Sequence, residues 1–350
     1  MVNQQLKSAI RHISAWTYYT SRHFLNRLRG KVLILAYHRV LSEKELTQDQ
    51  FIQPGMYVRK DVFEKQIRYL KEYFQLLSFN ELLRLWRKSD WDQRKRYCVV
   101  TFDDGWLDNY THAYPILREY SIPATIFLPT GFIGTTKWFW PDKLGYLLRY
   151  SSTNAMPEER KSCLASLDRW HPLAEGFSRE DCNGNIDSLI EACKGLPEEE
   201  ICATIEQISR TLDVEFPNSR AFLDWREVKE MSRHGISFGS HSCTHKILTK
   251  LPPGEIKNEI EDSLHALQEK EINYIPVFCY PNGNYTPEIA REVKAAGYEA
   301  AVSTQFGFED NGPEDLFRLK RIGLHNDISA TIPLFTFHIA GLNQLSTVAS

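Results

Sequence analysis

The sequence predicts an α/β fold whose strands run parallel, in an open sheet or in a closed barrel. From residue 31 onward, short apolar runs alternate with stretches of helical periodicity, which is the pattern of repeated strand–helix units. The chain has 350 residues, of which 42% are hydrophobic and 25% charged, and a net charge of −3. These values fit one large α/β domain or two smaller ones.

The first 30 residues predict a basic amphipathic helix that precedes the domain of residues 31–350. Residues 1–42 contain seven Lys or Arg and no acidic residue, and Leu6, Ile10 and Ile13 recur at helical spacing. Two interpretations fit this pattern. The helix packs on its own domain with a solvated basic face, or it makes a peripheral contact with an anionic membrane surface.

Other features favour a cytoplasmic location. The amino terminus lacks the apolar core and the small-residue cleavage site of a secretory signal, and no apolar run is long enough for a transmembrane helix. The seven cysteines include no C-x-x-C pair. If the basic helix meets a membrane, we expect a peripheral protein at the inner membrane surface. We expect no nucleic-acid partner.

The strands and helices follow one another in a regular order. Apolar runs predict strands at 32–36, 97–102, 124–128, 236–239, 274–280 and 299–303. Helical patterns lie between them at 62–72, 82–87, 113–120 and 287–296. A further helix should begin at Asp224, because Asp224 and Glu227 have the spacing of a capping box, and should end before Gly235. Residues of about 142–222 lose this rhythm and predict a helical insertion.

Reactive side chains follow four of the apolar runs. Asp103 and Asp104 come directly after 97–102, His241 comes shortly after 236–239, the turn at 280–283 follows the run before it, and His38 follows the first run. In a parallel barrel the carboxyl ends of all strands meet at one face. These residues therefore predict one shared site.

The residue types at this site are those of a catalytic metal centre. His241 and His245, together with one aspartate, form the His/His/acid set that suits a catalytic zinc with an open position. A second carboxylate beside the metal can act as a general base. Each motif alone is weak, because Asp-Asp-Gly is also a common turn and paired histidines are often incidental.

At these residues the sequence resembles the polysaccharide deacetylases, which carry the NodB homology domain of carbohydrate esterase family four. "TFDDGW" at 101–106 is similar to the first family motif, "HSCTH" at 241–245 to the second, and "FCYPNG" at 278–283 to a variant of the third. The likeness spans about residues 31–325 apart from the insertion. It implies a distorted (β/α)7 barrel and a hydrolase that removes N-acetyl groups from amino sugars of a bacterial surface polysaccharide, an exopolysaccharide or its lipid-linked precursor.

The resemblance also implies roles for individual residues. Asp103 would be the catalytic base, while Asp104, His241 and His245 would hold a divalent metal. Zinc is the first choice, although cobalt, nickel or iron suit the same ligands. The backbone N–H of Asn282 would stabilise the oxyanion of the tetrahedral intermediate.

Four further residues are candidates for substrate contact. Tyr280 and Pro281 belong to the third motif, and Trp138 and Trp140 could stack on sugar rings, although aromatic residues are more often part of a core.

Two assignments depart from the usual family pattern. The general acid is His38 or His325. The family usually has this histidine in a carboxyl-terminal motif, where this chain has His325, but "LAYHRV" at 35–40 resembles the corresponding element of a subgroup that acts on exopolysaccharides. We favour His38, because a histidine that ends the first apolar strand can reach the shared mouth of the barrel. Cys279 stands where relatives have the arginine that pairs with the base. Arg321, beside an apolar run, is our candidate substitute for orienting Asp103.

Two alternatives stay open. An O-acetyl carbohydrate esterase is a second activity for the same fold, and a catalytically inactive carbohydrate-binding relative fits the altered third motif. The presence of both Asp103 and Asp104 argues against the inactive relative, because sugar binding alone does not need the base.

Overall fold

The computed structural model of the chain describes residues 2–21, 24–47, 52–53, 55–167 and 182–343. Of the predicted amino-terminal segment, residues 1, 22 and 23 lie outside the described residues, as do residues 168–181 of the predicted insertion. The chain divides into two compact units. One comprises Met1–Ser42, Tyr57–Thr135 and Phe222–Ser350, and the other comprises Glu43–Met56 and Thr136–Ala221.

The described residues of the first unit form ten strands. They are β1 (Val32–Tyr37), β2 (Arg39–Leu41), β3 (Tyr57–Arg59), β4 (Gln75–Leu76), β5 (Tyr97–Phe102), β6 (Ala124–Leu128), β7 (Ile236–Ser240), β8 (Tyr274–Cys279), β9 (Ala300–Phe306) and β10 (Leu319–Gly323).

Seven of these strands close into a parallel barrel. The order around the barrel is β1, β10, β9, β8, β7, β6 and β5, and β5 pairs back with β1 from Val32 opposite Tyr97 to Tyr37 opposite Phe102. β4 pairs with β5, and β2 pairs with β3 in a separate two-stranded sheet. The predicted (β/α)7 barrel is therefore confirmed.

Helices connect the strands of the first unit and form the second unit. In chain order they are α1 (Val2–Ser21), α2 (Phe24–Arg27), α3 (Glu43–Thr47), α4 (Lys60–Tyr73), α5 (Phe79–Lys88), α6 (Tyr114–Tyr120), α7 (Trp140–Thr153), α8 (Pro157–Ser166), α9 (Cys182–Cys193), α10 (Glu198–Thr211), α11 (Trp225–Ser232), α12 (Pro253–Gln268), α13 (Pro287–Ala295), α14 (Asn326–Ser329) and α15 (Ile332–Ile339).

Local sequence signals explain several helix boundaries. The predicted capping box at the start of α11 is confirmed, because the Asp224 side chain accepts from the backbone N–H of Glu227 and the Glu227 carboxylate accepts from that of Asp224. Ser78 and Glu81 form the same arrangement at the start of α5. Both boxes satisfy N–H groups that the first helical turn leaves without intrahelical partners.

Some elements differ from the sequence expectation. β10 was not predicted, because the buried Arg321 interrupts its apolar run. The short strands β2, β3 and β4 and the helices α12 and α15 were also not predicted. The helix expected at 113–120 is preceded by a π-helical turn, Asn109–Ala113, and becomes α-helical at Tyr114.

The second unit has a hydrophobic core of its own, built from α7 to α10. The core contains Leu144, Leu147, Leu148, Cys163, Leu167, Ile186, Leu189, Ile190, Cys193, Ile201, Ile205, Ile208, Leu212 and Val214. The range of this unit overlaps the insertion expected at about 142–222, and it also includes Glu43–Met56 from between β2 and β3.

The amino-terminal helix α1 packs against α15 within the first unit. Ala15 is fully buried, and the ring of Tyr18 meets that of Phe337 edge-on at 5.9 Å. Among the described helices, none is both long and apolar enough to cross a membrane.

Candidate active site

Polar residues from separate strands meet at the carboxyl-terminal end of the barrel. Asp103 and Asp104 follow β5, His241 follows β7, and His38 follows β1. Arg321 lies within β10 and is buried inside the barrel. Because parallel strands end at the same face, residues far apart in the chain come into contact here.

We call Asp104, His241 and His245 the histidine side of the site. Nε2 of His241 lies 3.4 Å from Oδ1 of Asp104, and Nε2 of His245 lies 3.2 Å from the same oxygen. The two imidazole rings meet edge-on with their centroids 4.7 Å apart. In a tetrahedral zinc site with bonds of about 2.1 Å, neighbouring ligand atoms lie about 3.4 Å apart. The three atoms therefore have the spacing of metal ligands.

Hydrogen bonds fix which atoms these residues present. Nδ1 of His241 donates to the carbonyl of Cys279 at 2.8 Å, so Nε2 is the ring nitrogen that is directed at Asp104. The indole N–H of Trp106 donates to Oδ2 of Asp104 at 3.0 Å, which leaves Oδ1 towards the histidines. His241 Nε2 and Asp104 Oδ1 thus face each other. Burial lowers the pKa of His241, but Cys279 and the two aspartates more than offset this and hold it well above its ordinary value. A cation shared by the two atoms, a proton or a metal ion, stabilises such an arrangement.

The loop between the two histidines is held from α12. The carboxylate of Glu259, which is buried, accepts from the backbone N–H groups of Cys243 and Thr244 at 2.9 and 2.7 Å. The N–H of His245 donates to the hydroxyl of Ser242 at 3.0 Å. These bonds fix the separation of His241 and His245. Sequence reasoning missed Glu259, because nothing in the helical pattern marks one glutamate as a partner of a distant loop.

Backbone conformation at the site is unusual. Among the described residues, seven other than glycine have positive φ, and four of them belong to this site: Asp104, Ser242, His245 and Asn282. Such conformations cost about 1–3 kcal/mol each and cluster where function requires them.

We call Asp103, Arg321 and Cys279 the arginine side of the site. Nη1 and Nη2 of Arg321 each donate to one oxygen of Asp103 at 2.7 Å, which makes a bidentate buried ion pair. Nε of Arg321 donates to the carbonyl of Ser303 at 2.9 Å, and Nη2 lies 3.2 Å from the sulfur of Cys279. Nη1 also lies 3.4 Å from the hydroxyl of Thr101, so partners from three strands, β5, β8 and β9, fix the guanidinium in one position.

The surroundings set the protonation of both aspartates. Burial raises the pKa of Asp103, but the Arg321 guanidinium more than offsets this, so that the pKa lies below its ordinary value. Burial also raises the pKa of Asp104, and the imidazoles of His241 and His245 more than offset it, so that this pKa lies well below its ordinary value. Both carboxylates are therefore ionised at neutral pH.

The described residues contain two clusters with metal-ligand spacing, and only one of them is suited to a metal ion. Asp103, His241 and Cys279 also lie close together. In that cluster both oxygens of Asp103 are bonded to Arg321, and His241 directs its N–H bearing Nδ1 towards the Cys279 carbonyl. The cluster of Asp104, His241 and His245 has no such cation within it and can hold a divalent metal.

His38 and His325, the two candidate acids, follow the neighbouring strands β1 and β10. Nε2 of His38 lies 3.9 Å from Oδ2 of Asp103, and its backbone carbonyl accepts from the side-chain amide of Asn109 at 2.8 Å. Nδ1 of His325 lies 3.3 Å from Oδ2 of Asp327, and burial lowers the pKa of His325. The structure therefore brings His38 next to Asp103, while His325 is paired with a carboxylate of its own.

The residues of the third motif differ in burial. The Tyr280 side chain is buried, stacks on Tyr285 and donates its hydroxyl to the carbonyl of Phe317 at 2.9 Å. Pro281 is buried as well. Neither side chain is open to a ligand in this structure. Asn282 is exposed and has a φ of 55°, three residues after Cys279.

The two tryptophans proposed for sugar stacking belong to the second unit. Trp138 meets Tyr146 edge-on at 5.9 Å, and its indole N–H donates to the carbonyl of Ser219 at 3.3 Å. Trp140 is the first residue of α7 and packs against the core of that unit. Both are partly buried by these contacts.

Comparison with known proteins identifies the family of this barrel and its motifs. The family model described as polysaccharide deacetylase matches residues 90–163 and 185–301. The chain belongs to the polysaccharide deacetylase family. YxkH of Bacillus subtilis (strain 168), named as a polysaccharide deacetylase, is 24% identical over 294 residues, which make up 83% of this chain and 71% of that protein.

Other polysaccharide deacetylases share parts of the sequence or the whole fold. A poly-beta-1,6-N-acetyl-D-glucosamine N-deacetylase of Staphylococcus aureus (strain MSSA476) is 35% identical over 114 residues, which are 30% of this chain and 38% of that protein. The deacetylase PplD of Streptococcus pyogenes, solved with acetate, has a TM-score of 0.54 at 22% identity over 86% of this chain and 95% of that one. IcaB of Ammonifex degensii has a TM-score of 0.53 at 18% identity over 88% and 97%. These solved structures share the barrel fold.

Proposed function

We propose that this polysaccharide deacetylase is a metal-dependent hydrolase that removes N-acetyl groups from amino sugars. Its substrate would be a bacterial surface polysaccharide or exopolysaccharide, or the lipid-linked precursor of one. The observation that carries this proposal is the pair of adjacent buried aspartates with different partners, Asp104 beside His241 and His245, and Asp103 beside Arg321. The Staphylococcus aureus relative, whose name specifies N-acetylglucosamine, supports the substrate class.

Asp104, His241 and His245 would hold the metal. When bound, a divalent metal supplies a Lewis acid that polarises the acetamide carbonyl and acidifies water. Zinc suits two imidazoles and one carboxylate, and the pKa of Asp104 keeps that ligand ionised without the help of high pH. Trp106 and the Cys279 carbonyl would hold the ligands in the orientation that they already have.

Asp103 would take the proton from the attacking water. A carboxylate has about four lone-pair positions, so the bidentate bond from Arg321 leaves positions for this proton. Arg321 would act as a positioning residue, because it fixes both oxygens of Asp103 and keeps the carboxyl ionised.

His38 would complete the reaction as the general acid. It would protonate the amine nitrogen as the carbon–nitrogen bond breaks, so that acetate and the free amine leave. Its Nε2 is 3.9 Å from Asp103, and its imidazole is only partly buried, which leaves access for a sugar amide. The backbone N–H of Asn282 would donate to the oxygen that becomes negative when water attacks.

Acetate release by the purified full chain tests this proposal. The chain is stripped with a chelator, reloaded with zinc and mixed with β-1,6-linked N-acetylglucosamine oligomers, lipid-linked N-acetylated glycans and O-acetylated xylan. We expect release from an N-acetylated substrate, dependence on added zinc, and a loss of about 10²–10⁴-fold in Asp103→Asn. Asp310→Asn, which changes an exposed aspartate, is the matched control and should retain full activity.

Two outcomes would replace the proposal. Release from O-acetylated xylan alone would assign an O-acetyl esterase. Zinc-loaded protein that binds the oligomers but releases no acetate, with Asp103→Asn binding equally well, would assign a carbohydrate-binding protein without catalysis.

A further inference from the structure

The outward face of α1 carries a stripe of large apolar side chains. Leu6, Ile10, Ile13 and Trp16 are 59%, 55%, 67% and 61% exposed. Successive members are three or four positions apart, which places them along one side of an α-helix. Among the described residues, the other exposed large hydrophobic side chains are Met156, at 66%, and Leu316, at 37%, so four of six lie on this one helix face. We call these four residues the α1 stripe.

The opposite side of α1 is the one that packs on the barrel unit. Ala15, which is buried, is nine positions from Leu6, about two and a half helical turns, and therefore projects the other way. Tyr18 contacts Phe337, and the guanidinium of Arg11 donates to the carbonyl of Asp327 at 3.0 Å. The helix is thus anchored by one side and presents the α1 stripe to its surroundings.

Neighbouring polar residues do not interrupt the stripe. Thr17 and Thr20 lie on the same side of the helix, and their hydroxyls donate back to the carbonyls of Ile13 and Trp16 at 2.9 and 3.1 Å. A hydroxyl that is bonded within its own helix has less need of water than a free one. The apolar surface therefore continues towards the carboxyl end of α1.

The amino-terminal segment that contains the stripe carries charges of one sign. Residues 1–42 contain seven Lys or Arg and no acidic residue, although the whole chain has a net charge of −3. Lys31 and Arg39 are paired with Asp310 and Asp108. Arg11 and Arg27 instead donate to backbone carbonyls, and no ion pair joins either of them to a carboxylate of the described residues. Lys7 is exposed and follows Leu6 in the helix.

We propose that the α1 stripe and the cations beside it form a docking surface for an anionic lipid bilayer. The apolar side chains would enter the boundary between headgroups and acyl chains, with Trp16 at the interface, while the exposed Lys7 meets anionic headgroups. The helix would lie on the membrane, since no described helix can cross one. A second copy of this chain fits the face less well, because pairing would bring two basic segments together. This inference does not depend on the deacetylase chemistry.

Vesicle flotation with the full chain tests the docking surface. Vesicles of phosphatidylcholine alone are compared with vesicles that contain about one-third phosphatidylglycerol, at low and at high salt. We expect at least about tenfold stronger binding to the anionic vesicles, and weaker binding at high salt, because part of the attraction is electrostatic. Equal binding to both compositions, or no binding to either, would overturn the proposal.

Two matched substitutions locate the contact. Ile13→Asp should lower binding to anionic vesicles at least about tenfold, because it removes an apolar group and adds a charge that anionic lipids repel. Met156→Asp changes a side chain of nearly equal exposure, 66% against 67%, and should bind as the unaltered chain does. Both variants should keep the melting temperature, since both side chains are exposed. Undiminished binding by Ile13→Asp would show that α1 is not the contact.

A separate result would assign the face to another occupant. If sedimentation shows a dimer in the absence of lipid, and Ile13→Asp converts it to a monomer, the α1 stripe is a self-association surface and the lipid proposal is wrong.

Discussion

The arginine side and the histidine side of the site surround two neighbouring carboxylates with different partners. Asp103 and Asp104 are adjacent in the chain and both are buried. Asp103 receives two hydrogen bonds from the fixed guanidinium of Arg321, so the protein itself supplies its cation. Asp104 faces two imidazoles and one indole, none of which is a permanent cation. The histidine side therefore has room for an external cation, and the arginine side does not.

One turn of the chain can therefore supply residues for two functions. A buried carboxylate needs a compensating charge, because burial without one strongly disfavours ionisation. Where the chain provides the charge, the carboxylate is held ionised and in place as a candidate base. Where the chain provides imidazoles in place of a permanent cation, the carboxylate is a candidate metal ligand. The left-handed backbone of Asp104, with a φ of 70°, turns the second side chain away from the first.

Breaking the arginine side should have the largest effect. Arg321→Met leaves Asp103 buried without its cation, so we expect a loss of about 3–5 kcal/mol in the free energy of unfolding. We also expect kcat/KM for acetate release to fall about 10²-fold or more. Arg321→Lys should have a kcat/KM between those of the unaltered chain and Arg321→Met, because a lysine keeps the positive charge but cannot make the bidentate bond. The control is Arg318→Met, which alters a partly exposed arginine of a surface ion pair.

The pH dependence of the same variants separates orientation from general loss of structure. The folded-state pKa of Asp103 is lowered by Arg321, so its stabilising contribution is present above the unfolded pKa and is lost as pH falls through the folded one. In Arg321→Met the raising effect of burial is opposed only by the smaller lowering effects of His241 and His38, so the acidic limb of the kcat/KM profile should move to higher pH. An unchanged limb with unchanged activity would show that Arg321 does not act on Asp103.

Replacing the candidate acids should have the next largest effect. His38→Gln should lower kcat/KM about 10²-fold or more, whereas His325→Gln should change it less than about threefold, because His38 is the histidine beside Asp103. The lowered pKa of His325 also leaves it less protonated at neutral pH. 4-Nitroacetanilide, whose leaving group needs less help from an acid, should lose less activity in His38→Gln than a sugar amide does. The reverse order of the two variants would make His325 the acid.

Weakening the hydrogen bonds that hold the loop between His241 and His245 should have the smallest effect. Glu259→Gln weakens the hold on the backbone of Cys243 and Thr244, so we expect zinc affinity to fall about tenfold. The matched control is Glu261→Gln, two positions along α12, whose carboxylate is partly exposed and pairs with Lys257. Competition with a chromogenic zinc chelator measures the zinc affinity of each variant. Equal zinc affinity in the two variants would show that Glu259 does not support the metal ligands.

The barrel could be predicted from the sequence because its strands are short, apolar and separated by helical patterns. Those strands end in Asp103, Asp104, His241 and His38, and the parallel arrangement requires strand ends to meet. The sequence pattern therefore places the reactive residues at one face. It does not show which carboxylate meets which partner, since that depends on contacts across the barrel.

The contacts that distinguish the two sides could not be predicted in the same way. Arg321 and Asp103 are 218 positions apart, and they meet only because β5 closes onto β1 beside β10. Glu259 reaches the histidine loop from a helix whose pattern does not indicate which residue faces inward at that end. Tyr280 was expected at the substrate, and its burial against Tyr285 follows from packing that the motif alone does not contain.

The most direct test compares the zinc content of Asp103→Asn and Asp104→Asn, two isosteric changes at adjacent residues. Each full-length variant is loaded with zinc, dialysed and analysed for metal and acetate release, and circular dichroism verifies that it is folded. We expect Asp103→Asn to keep a stoichiometric zinc while acetate release falls about 10²–10⁴-fold, and Asp104→Asn to lose both. Equal zinc content in the two variants, or full acetate release by Asp103→Asn, would contradict the division between the arginine side and the histidine side.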